Sequence, residues 1–290
     1  MKLFDPHIHM TSRTTDDYQA LARAGIRAVL EPASSSGQPR THVGTFEDYF
    51  GSLVGWERFR ASQFGIRHYC ALALDPKAAN DPVLAEGVLA ILPRYLVKEG
   101  VLAIGQTGFE EQTPAEEASF VRHLELACRF ELPVLVQIPH RDRKRACERT
   151  LALLREQQFP MERVLIEHNT EETTPLVREA GAWAGLTKID EPRLTALVRH
   201  YGPERFLVGS AADWRVSEPL KVPKVTAEMR RVSIGEREIE QVVWHNPIRF
   251  FGQTGRLSIA DMEQTAGVDP RLLWEGSSVL PGPPPVVGVR

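Results

Sequence analysis

The stretch Lys2-Leu3-Phe4-Asp5-Pro6-His7-Ile8-His9 decides how the chain is interpreted. A short apolar run stands directly before two histidines that one residue separates. Successive side chains of a strand point to opposite faces, so His7 and His9 share a face and Ile8 faces away. Neutral imidazole is the commonest metal ligand in proteins, and the two rings are therefore predicted to bind one metal ion together. The pair alone does not exclude a structural role. Metal binding is favoured if the pair lies at the carboxyl end of the first strand of a barrel.

Seven further apolar runs of strand length follow, each separated from the last by a helical pattern. They cover residues 26–30, 66–74, 101–104, 134–138, 164–166, 182–186 and 206–208. Strands that alternate with helices indicate a parallel sheet with crossover helices. Eight strands close into a (β/α)₈ TIM barrel, the α/β fold that we predict. A doubly wound open sheet is disfavoured because no Gly-rich phosphate loop follows the first strand.

Composition and charge limit the class of protein. The chain has 290 residues, 42% of them hydrophobic, and a formal net charge of −3. This charge gives no strong field toward nucleic acid or anionic membrane, which argues against a nucleic-acid-binding module but not against a nuclease that grips its substrate locally. Three cysteines without a Cys-x-x-Cys pair indicate reduced thiols. We find neither a signal-peptide pattern nor an apolar run that could span a membrane, and expect a cytoplasmic protein. A homo-oligomer is left open.

The chain is predicted to divide into a barrel domain, residues 1–255, and a C-terminal extension, residues 256–290. The extension begins with a predicted helix at 258–265 and continues into Pro- and Gly-rich sequence. Such sequence is typical of a segment that is extended and packed on the barrel or on a partner, or partly disordered. Residues 31–49, rich in Ser, Gly and Pro, are predicted to form a long loop after the second strand.

Polar side chains follow several predicted strands at the points where they end. Because the carboxyl ends of barrel strands form one rim, we expect these side chains to converge there with His7 and His9. They are Glu31, Gln106, Gln137, His140, His168 and Asp213. Imidazoles and carboxylates around one rim suit a divalent metal ion, with Zn²⁺ favoured over Mn²⁺ or Mg²⁺.

Several of these residues also fit a structural role. Asp213 could cap the helix that follows it, and Glu31 could be a loop carboxylate without a function. His168 stands in a very polar run directly after a strand, which favours function. The other histidines are predicted to be structural, namely His42, His68, His123, His200 and His245.

Basic residues near the predicted rim offer contacts for an anion. Arg141 opens the basic run 141–145, and Arg40 lies on the loop after the second strand. A solvated helix start is the alternative explanation for the basic run. The candidate substrate-binding residues are Glu31, Arg40, Gln137 and Arg141.

Taken in order, the motifs resemble the TatD-like metal-dependent hydrolases of the amidohydrolase superfamily. The resemblance spans residues 1–255 and rests on the first His pair, on Ala103-Ile104-Gly105, on His168, and on the run that ends in Asp213-Trp214. Further motifs at residues 12–17, 31–33, 37–41 and 48–50 are similar to those of a bacterial subgroup. No single motif is specific, but their combination is.

The resemblance implies a TIM barrel with one or two divalent metal ions that activate water, and TatD proteins cleave phosphodiester bonds in DNA. It also implies Glu at the position of Gln106, bridging two metals, and His at the position of Gln137. Glutamine keeps an oxygen acceptor but carries no charge. We therefore expect one metal ion rather than two.

These observations predict a hydrolase in which a metal ion activates water. The candidate ligands are His7, His9, Gln106, His140, His168 and Asp213. Asp213 either ligates the metal or acts as general base, and His168 or His140 completes the shell or polarises the substrate. By the resemblance alone, the substrate is a phosphoester or another small hydrolysable compound. The alternative is a catalytically degenerate barrel that acts as a binding or scaffold protein, since the two glutamines replace usual ligands.

Overall fold

The computed structural model describes residues 1–34, 39–215 and 217–263. Eight strands form one parallel sheet in which each strand pairs with the next along the chain. The strands are β1 (Leu3–Asp5), β2 (Ile26–Pro32), β3 (Arg67–Leu72), β4 (Val101–Gly108), β5 (Val134–Gln137), β6 (Val164–Ile166), β7 (Trp183–Leu186) and β8 (Phe206–Val208). The structure confirms the predicted barrel fold and a strand at each predicted position.

The first and last strands meet just beyond their carboxyl ends. The Ala211 amide donates to the His7 carbonyl at 2.7 Å, and the His9 amide donates to the Ala212 carbonyl at 2.9 Å. These two bonds bring the loop after β8 against the His7–His9 segment. The barrel is therefore nearly closed, and its closing seam lies at the rim where the site was predicted.

The helices surround the strands. They are α1 (Thr15–Arg23), α2 (Val43–Gly51), α3 (Glu57–Ser62), α4 (Pro82–Leu96), α5 (Pro114–Phe130), α6 (Arg143–Glu156), α7 (Thr174–Glu179), α8 (Glu191–Tyr201), α9 (Lys221–Arg231), α10 (Glu236–Glu240), α11 (Asn246–Phe251) and α12 (Ile259–Glu263). The first eight lie between consecutive strands, and the last four follow β8. Over the described residues, none of them has the length and apolar character needed to span a membrane.

Local sequence explains where α1 begins and ends. The Thr14 side chain accepts from the Asp17 amide while the Asp17 carboxylate accepts from the Thr14 amide, a reciprocal capping box. The helix ends before Gly25, whose φ of +96° favours glycine. A Cβ at this position would also lie 2.9 Å from the Met1 carbonyl oxygen. The chain can therefore turn sharply into β2.

Two hydrophobic layers hold the barrel together. One layer contains the outward side chains of the strands and the buried faces of the helices around them. The other fills the barrel and includes Phe4, Leu30 and Phe251. The ring of Phe251 in α11 lies 5.9 Å from that of Phe4. Aromatic side chains therefore plug the amino-terminal end of the barrel, which leaves the carboxyl-terminal end for a site.

Two predicted boundaries differ most from the structure. The loop expected over residues 31–49 gives way to α2 at Val43, because Phe46 and Phe50 recur one turn apart and are both buried. The fourth strand was expected to end at residue 104 but extends to Gly108, since Thr107 and Gly108 pair with β5.

The described start of the extension packs against the barrel. The Arg256 guanidinium donates to the Leu96 and Val101 carbonyl oxygens, and the Met262 side chain is buried. The helix predicted over 258–265 is present as α12, while its end and the Pro- and Gly-rich sequence lie outside the described residues. The domain boundary at residue 255 stays a prediction.

Acidification is expected to destabilise the protein through His123, which is buried on α5. Its Nε2 accepts from the Leu74 amide at 3.0 Å and its Nδ1 donates to the Ser119 carbonyl at 2.8 Å, so the ring is neutral. Burial lowers the pKa of His123 to about 4. Between about pH 6.5 and pH 4 the unfolded chain binds a proton that the folded chain does not, so the free energy of unfolding falls by about 1.4 kcal/mol per pH unit.

The measurement is urea unfolding from pH 7.5 to pH 4.5 on the wild type and on His123→Gln. The variant is expected to start less stable and to lose less stability on acidification. Parallel pH profiles for the two proteins would contradict this assignment.

Candidate active site

A cavity of about 210 Å³ opens at the carboxyl ends of the strands. The predicted rim residues that line it are His7, His9, Gln106, Gln137, His140, His168 and Asp213. These side chains come from five different strand ends, and the longest separation along the chain joins β1 to the loop after β8. The structure thus places the predicted metal-binding candidates around one opening.

His7 and His9 form one wall of this cavity. Ile8, between them, is fully buried in the layer beneath the helices, so the two histidines share the opposite face. Their ring centroids lie 5.3 Å apart and their planes are nearly perpendicular, at 86°. An ion about 2.1 Å from one nitrogen of each ring would give a centroid separation of about 5 Å. The pair therefore has the geometry of two ligands to a single ion.

A buried carboxylate stands behind His7. The Glu167 Oε1 atom lies 3.2 Å from His7 Nδ1, and both side chains are at most 2% exposed. Metal-binding histidines commonly present one ring nitrogen to a carboxylate, which orients the ring and leaves the other nitrogen for the metal. Glu167 therefore lies in position to orient the His7 ring, although its contact with Nδ1 does not have hydrogen-bond geometry. The Nε2 atom on the far side of the ring is left as the candidate metal ligand.

Asp5 fixes the backbone beneath the two histidines. Its fully buried carboxylate accepts from the amides of His7 and Ser210, each at 3.1 Å. These bonds tie the end of β1 to the loop after β8. Burial raises the pKa of Asp5 to about 6, and the hydrogen bonds oppose this rise.

His168 forms the neighbouring wall. Its Nδ1 atom lies 2.6 Å from the Thr187 hydroxyl, and its ring centroid lies 5.6 Å from that of His7. The His140 ring stacks on it with centroids 5.9 Å apart and an 18° angle between planes. Burial holds the pKa of His168 well below its usual range, so the ring is neutral at neutral pH.

Asp213 is half-buried on the loop after β8. Its Oδ1 atom accepts from the Arg215 amide at 2.8 Å, and its carbonyl oxygen accepts from the guanidinium of Arg13. Burial lowers the pKa of His9 to about 4, and the Asp213 charge is among the influences that oppose this shift. The carboxylate therefore lies close enough to act on the His9 side of the cavity.

Three of the candidate substrate-binding residues lie away from the cavity lining. Glu31 is fully buried, and its oxygens accept from Thr11 and contact His68 Nε2 at 2.9 Å. Arg40 stacks on the ring of Tyr49 at 3.5 Å and lines an adjoining cavity. Arg141 is exposed and does not line either cavity. Glu31 thus lies behind the rim, where its charge also acts on His9.

The cavity lining includes charged residues that the sequence interpretation missed. They are Asp75, Lys77, Glu110, Lys188 and Arg215. Each lies on a segment that follows a strand, so its place at the rim could have been predicted from the sequence. The anion contacts predicted from the sequence were Arg40 and Arg141, whereas the cations that line the cavity are Lys77, Lys188 and Arg215.

Comparison with known protein families shows where this chain belongs. The model of the TatD related DNase family matches residues 4–252. The chain belongs to the TatD-related DNase family. This match, together with a similar protein described as a metal-dependent hydrolase, confirms the predicted family and the predicted hydrolase class.

Several known proteins are similar to this chain over most of its length. A metal-dependent hydrolase, described as uncharacterized, from Methanocaldococcus jannaschii is 24% identical over 254 residues, which are 86% of this chain and 99% of that protein. The TatD-like protein of Archaeoglobus fulgidus is 27% identical with a TM-score of 0.71, covering 86% of this chain and 99% of that one. A phosphotriesterase homology protein from Escherichia coli, 14% identical with a TM-score of 0.65, shares the fold over 86% and 98% of the two chains.

The rim of this TatD-family chain carries two histidines on one wall and two glutamines on the other. The His7–His9 wall has ligand geometry, as described above. On the other wall, the buried Gln106 amide nitrogen has no hydrogen-bond partner, and the Gln137 amide donates to Glu110. Over residues 1–34, 39–215 and 217–263, no three His, Cys, Asp or Glu side chains are arranged to hold a metal ion. The His7–His9 pair therefore needs a further ligand to complete a site, and the two glutamines offer only neutral amides.

The contact between Glu167 and His7 predicts the effect of a change in β7. A Cβ at Gly185 would lie 2.5 Å from Glu167 Oε2, so Gly185→Ala should displace this carboxylate from His7. Loss of such a supporting partner lowers metal affinity about ten- to hundredfold. The measurement is Zn²⁺ affinity by competition with a chelating dye. Gly44→Ala is the control, because its Cβ would meet nothing within 4 Å. Equal affinities in the two variants would refute the role of Glu167.

Proposed function

We propose that this TatD-family protein binds one divalent metal ion, with Zn²⁺ favoured, and hydrolyses anionic phosphoesters. One observation carries the proposal: the cavity is lined by the two imidazoles of His7 and His9 and by three cations, beside the carboxylates of Asp75, Glu110 and Asp213. The cations are Lys77, Lys188 and Arg215. A phosphoryl group needs both features, since it must be attacked by an activated water and its negative charge must be held.

Different residues bind the metal ion and accept the proton of the attacking water. His7 and His9 hold the ion, with Asp213 from the lining of the same cavity as the third ligand candidate. When bound, the ion supplies water activated for attack at neutral pH. Asp213 alternatively accepts the proton of the attacking water at its free Oδ2 atom, because Oδ1 is engaged by the Arg215 amide.

His168 binds substrate in this proposal. If the Thr187 hydroxyl donates to Nδ1 of the neutral ring, the ring proton resides on Nε2. An Nε2–H group on this wall can donate to an oxygen of the substrate. His140 stacks on His168 and accepts from the Arg143 guanidinium, so it orients the ring and is not itself a ligand.

The size of the cavity favours a compact substrate group. Its volume of about 210 Å³ holds a phosphoryl group with a small substituent, while an adjoining cavity of about 390 Å³ shares Lys77 and Arg215 with it. A larger leaving group can extend into this second space. The cations favour substrates that carry negative charge over neutral esters of similar size.

Elemental analysis and substrate comparison test the proposal together. The purified protein is expected to hold one divalent ion per chain and to cleave bis(p-nitrophenyl) phosphate or p-nitrophenyl phosphate faster than the neutral triester paraoxon. Assays are run with added Zn²⁺, Mn²⁺ and Mg²⁺. Faster cleavage of paraoxon would overturn the substrate class. A protein without bound metal and without turnover under all three conditions would favour the degenerate binding protein.

A further inference from the structure

We infer that Lys188 forms an anion-binding subsite on the His140–His168 side of the cavity, where it holds an oxygen of the substrate and keeps a second metal ion out. The inference rests on the proposed function for the identity of the substrate. The placement of the side chain, its charged neighbours and the neutral amides opposite it each support the inference.

The backbone around Lys188 is fixed on both sides. The Lys221 ammonium in α9 donates to the carbonyl oxygens of Thr187 and Ile189, the two residues that flank Lys188. Both flanking residues are buried, whereas the Lys188 side chain lines the cavity. The Thr187 hydroxyl also contacts the ring of His168. The same short segment therefore positions both His168 and Lys188 at the rim.

The neighbouring charges show which part of the cavity Lys188 occupies. Its positive charge lowers the pKa of both His168 and His140, in each case after the larger effect of burial. The carboxylates of Asp213 and Glu110 attract the ammonium from other directions. The Lys188 charge also lowers the pKa of His9, after the effects of burial, His7, Glu31 and Asp213. The Lys188 ammonium therefore faces the cavity on the side of the stacked imidazoles and stays within electrostatic reach of His9.

The two glutamines of this wall supply no charge to a second metal ion, and the nearby Glu110 carboxylate is already engaged by one of them. Gln137 is neutral, and its amide is engaged with the Glu110 carboxylate. Gln106 is neutral and buried. A dication here would be repelled by the ammonium and would gain no compensating anionic ligand from either glutamine. An anionic oxygen, in contrast, would be attracted by the ammonium, which has three donors.

Binding of inorganic phosphate to the metal-loaded protein tests the subsite. Lys188→Met is expected to weaken phosphate binding about ten- to hundredfold, the value of a hydrogen bond to a charged group. Lys188→Arg keeps the charge and should retain most of the affinity. Lys98→Met, at the opposite end of the barrel, is the matched control and should bind as the wild type does. Isothermal titration calorimetry gives the affinities, and circular dichroism checks the fold of each variant.

Metal stoichiometry is the second readout. Wild type and Gln106→Glu are expected to bind one ion per chain, because Lys188 still repels a second. Gln106→Glu combined with Lys188→Met is expected to approach two ions. Two ions in the wild type, or one ion in the combined variant, would overturn the exclusion of a second metal.

The inference and the proposed function fail in different ways. If no phosphoester is cleaved but phosphate affinity still depends on Lys188, the proposed function is wrong and the subsite stands. If phosphoesters are cleaved but Lys188→Met binds phosphate within twofold of Lys98→Met, the proposed function stands and the subsite is refuted.

Discussion

Replacing His7 with alanine is expected to remove the metal ion and to lower kcat/KM for a phosphoester about a thousandfold. His7 is one of the two imidazoles with ligand geometry, and Glu167 orients it from behind. A catalytic metal ion contributes several kcal/mol to transition-state stabilisation, and each 1.36 kcal/mol corresponds to a tenfold change in rate. Loss of the ion therefore produces one of the two largest effects that we predict.

Elemental analysis of the purified variant and steady-state kinetics measure this effect. His200→Ala, at the exposed end of α8, is the control and should keep both metal and activity. If His7→Ala retained one ion per chain with kcat/KM near that of the control, His7 would not be a ligand.

Breaking the buried pair of Glu31 and His68 is expected to give the largest loss of stability. The two side chains are fully buried and their Oε2 and Nε2 atoms lie 2.9 Å apart. In His68→Leu, the Glu31 carboxylate would keep its bonds to Thr11 but lose its other partner inside the protein. Removal of one member of a buried pair destabilises proteins by about 3–5 kcal/mol.

Urea unfolding at pH 7.5 measures this loss. The double variant Glu31→Leu and His68→Leu is the informative comparison, because it leaves no unpaired charge and should recover much of the lost stability. A loss below about 1 kcal/mol in His68→Leu would show that the pair contributes little.

The strands and the rim could be predicted because both depend on local patterns. Apolar runs alternate with helices, and parallel barrel strands carry their terminal side chains to one opening. The spacing of His7 and His9 also fixed their shared face, which the structure shows. The position of β4 was predicted but its length was not, because Thr107 is added to the strand by pairing with β5.

The supporting contacts could not be predicted because they join residues from distant strands. Glu167 was visible as a polar residue beside His168, but only the closed barrel brings its carboxylate against His7. His68 was predicted to be structural, but its partner could not be named. Its pairing with Glu31 depends on how β2 and β3 lie beneath the helices. Lys188 has no metal-binding chemistry, so a search for ligands gave no reason to select it.

X-ray anomalous scattering from crystals of the protein as purified, measured at the absorption edge of the bound metal, is the most direct test. A single strong peak is expected at the rim, about 2.1 Å from a ring nitrogen of His7 and of His9, with no second peak beside Gln106 and Gln137. A peak of equal height on the glutamine side, or a metal bound only elsewhere on the molecule, would contradict a one-metal centre built on the first strand.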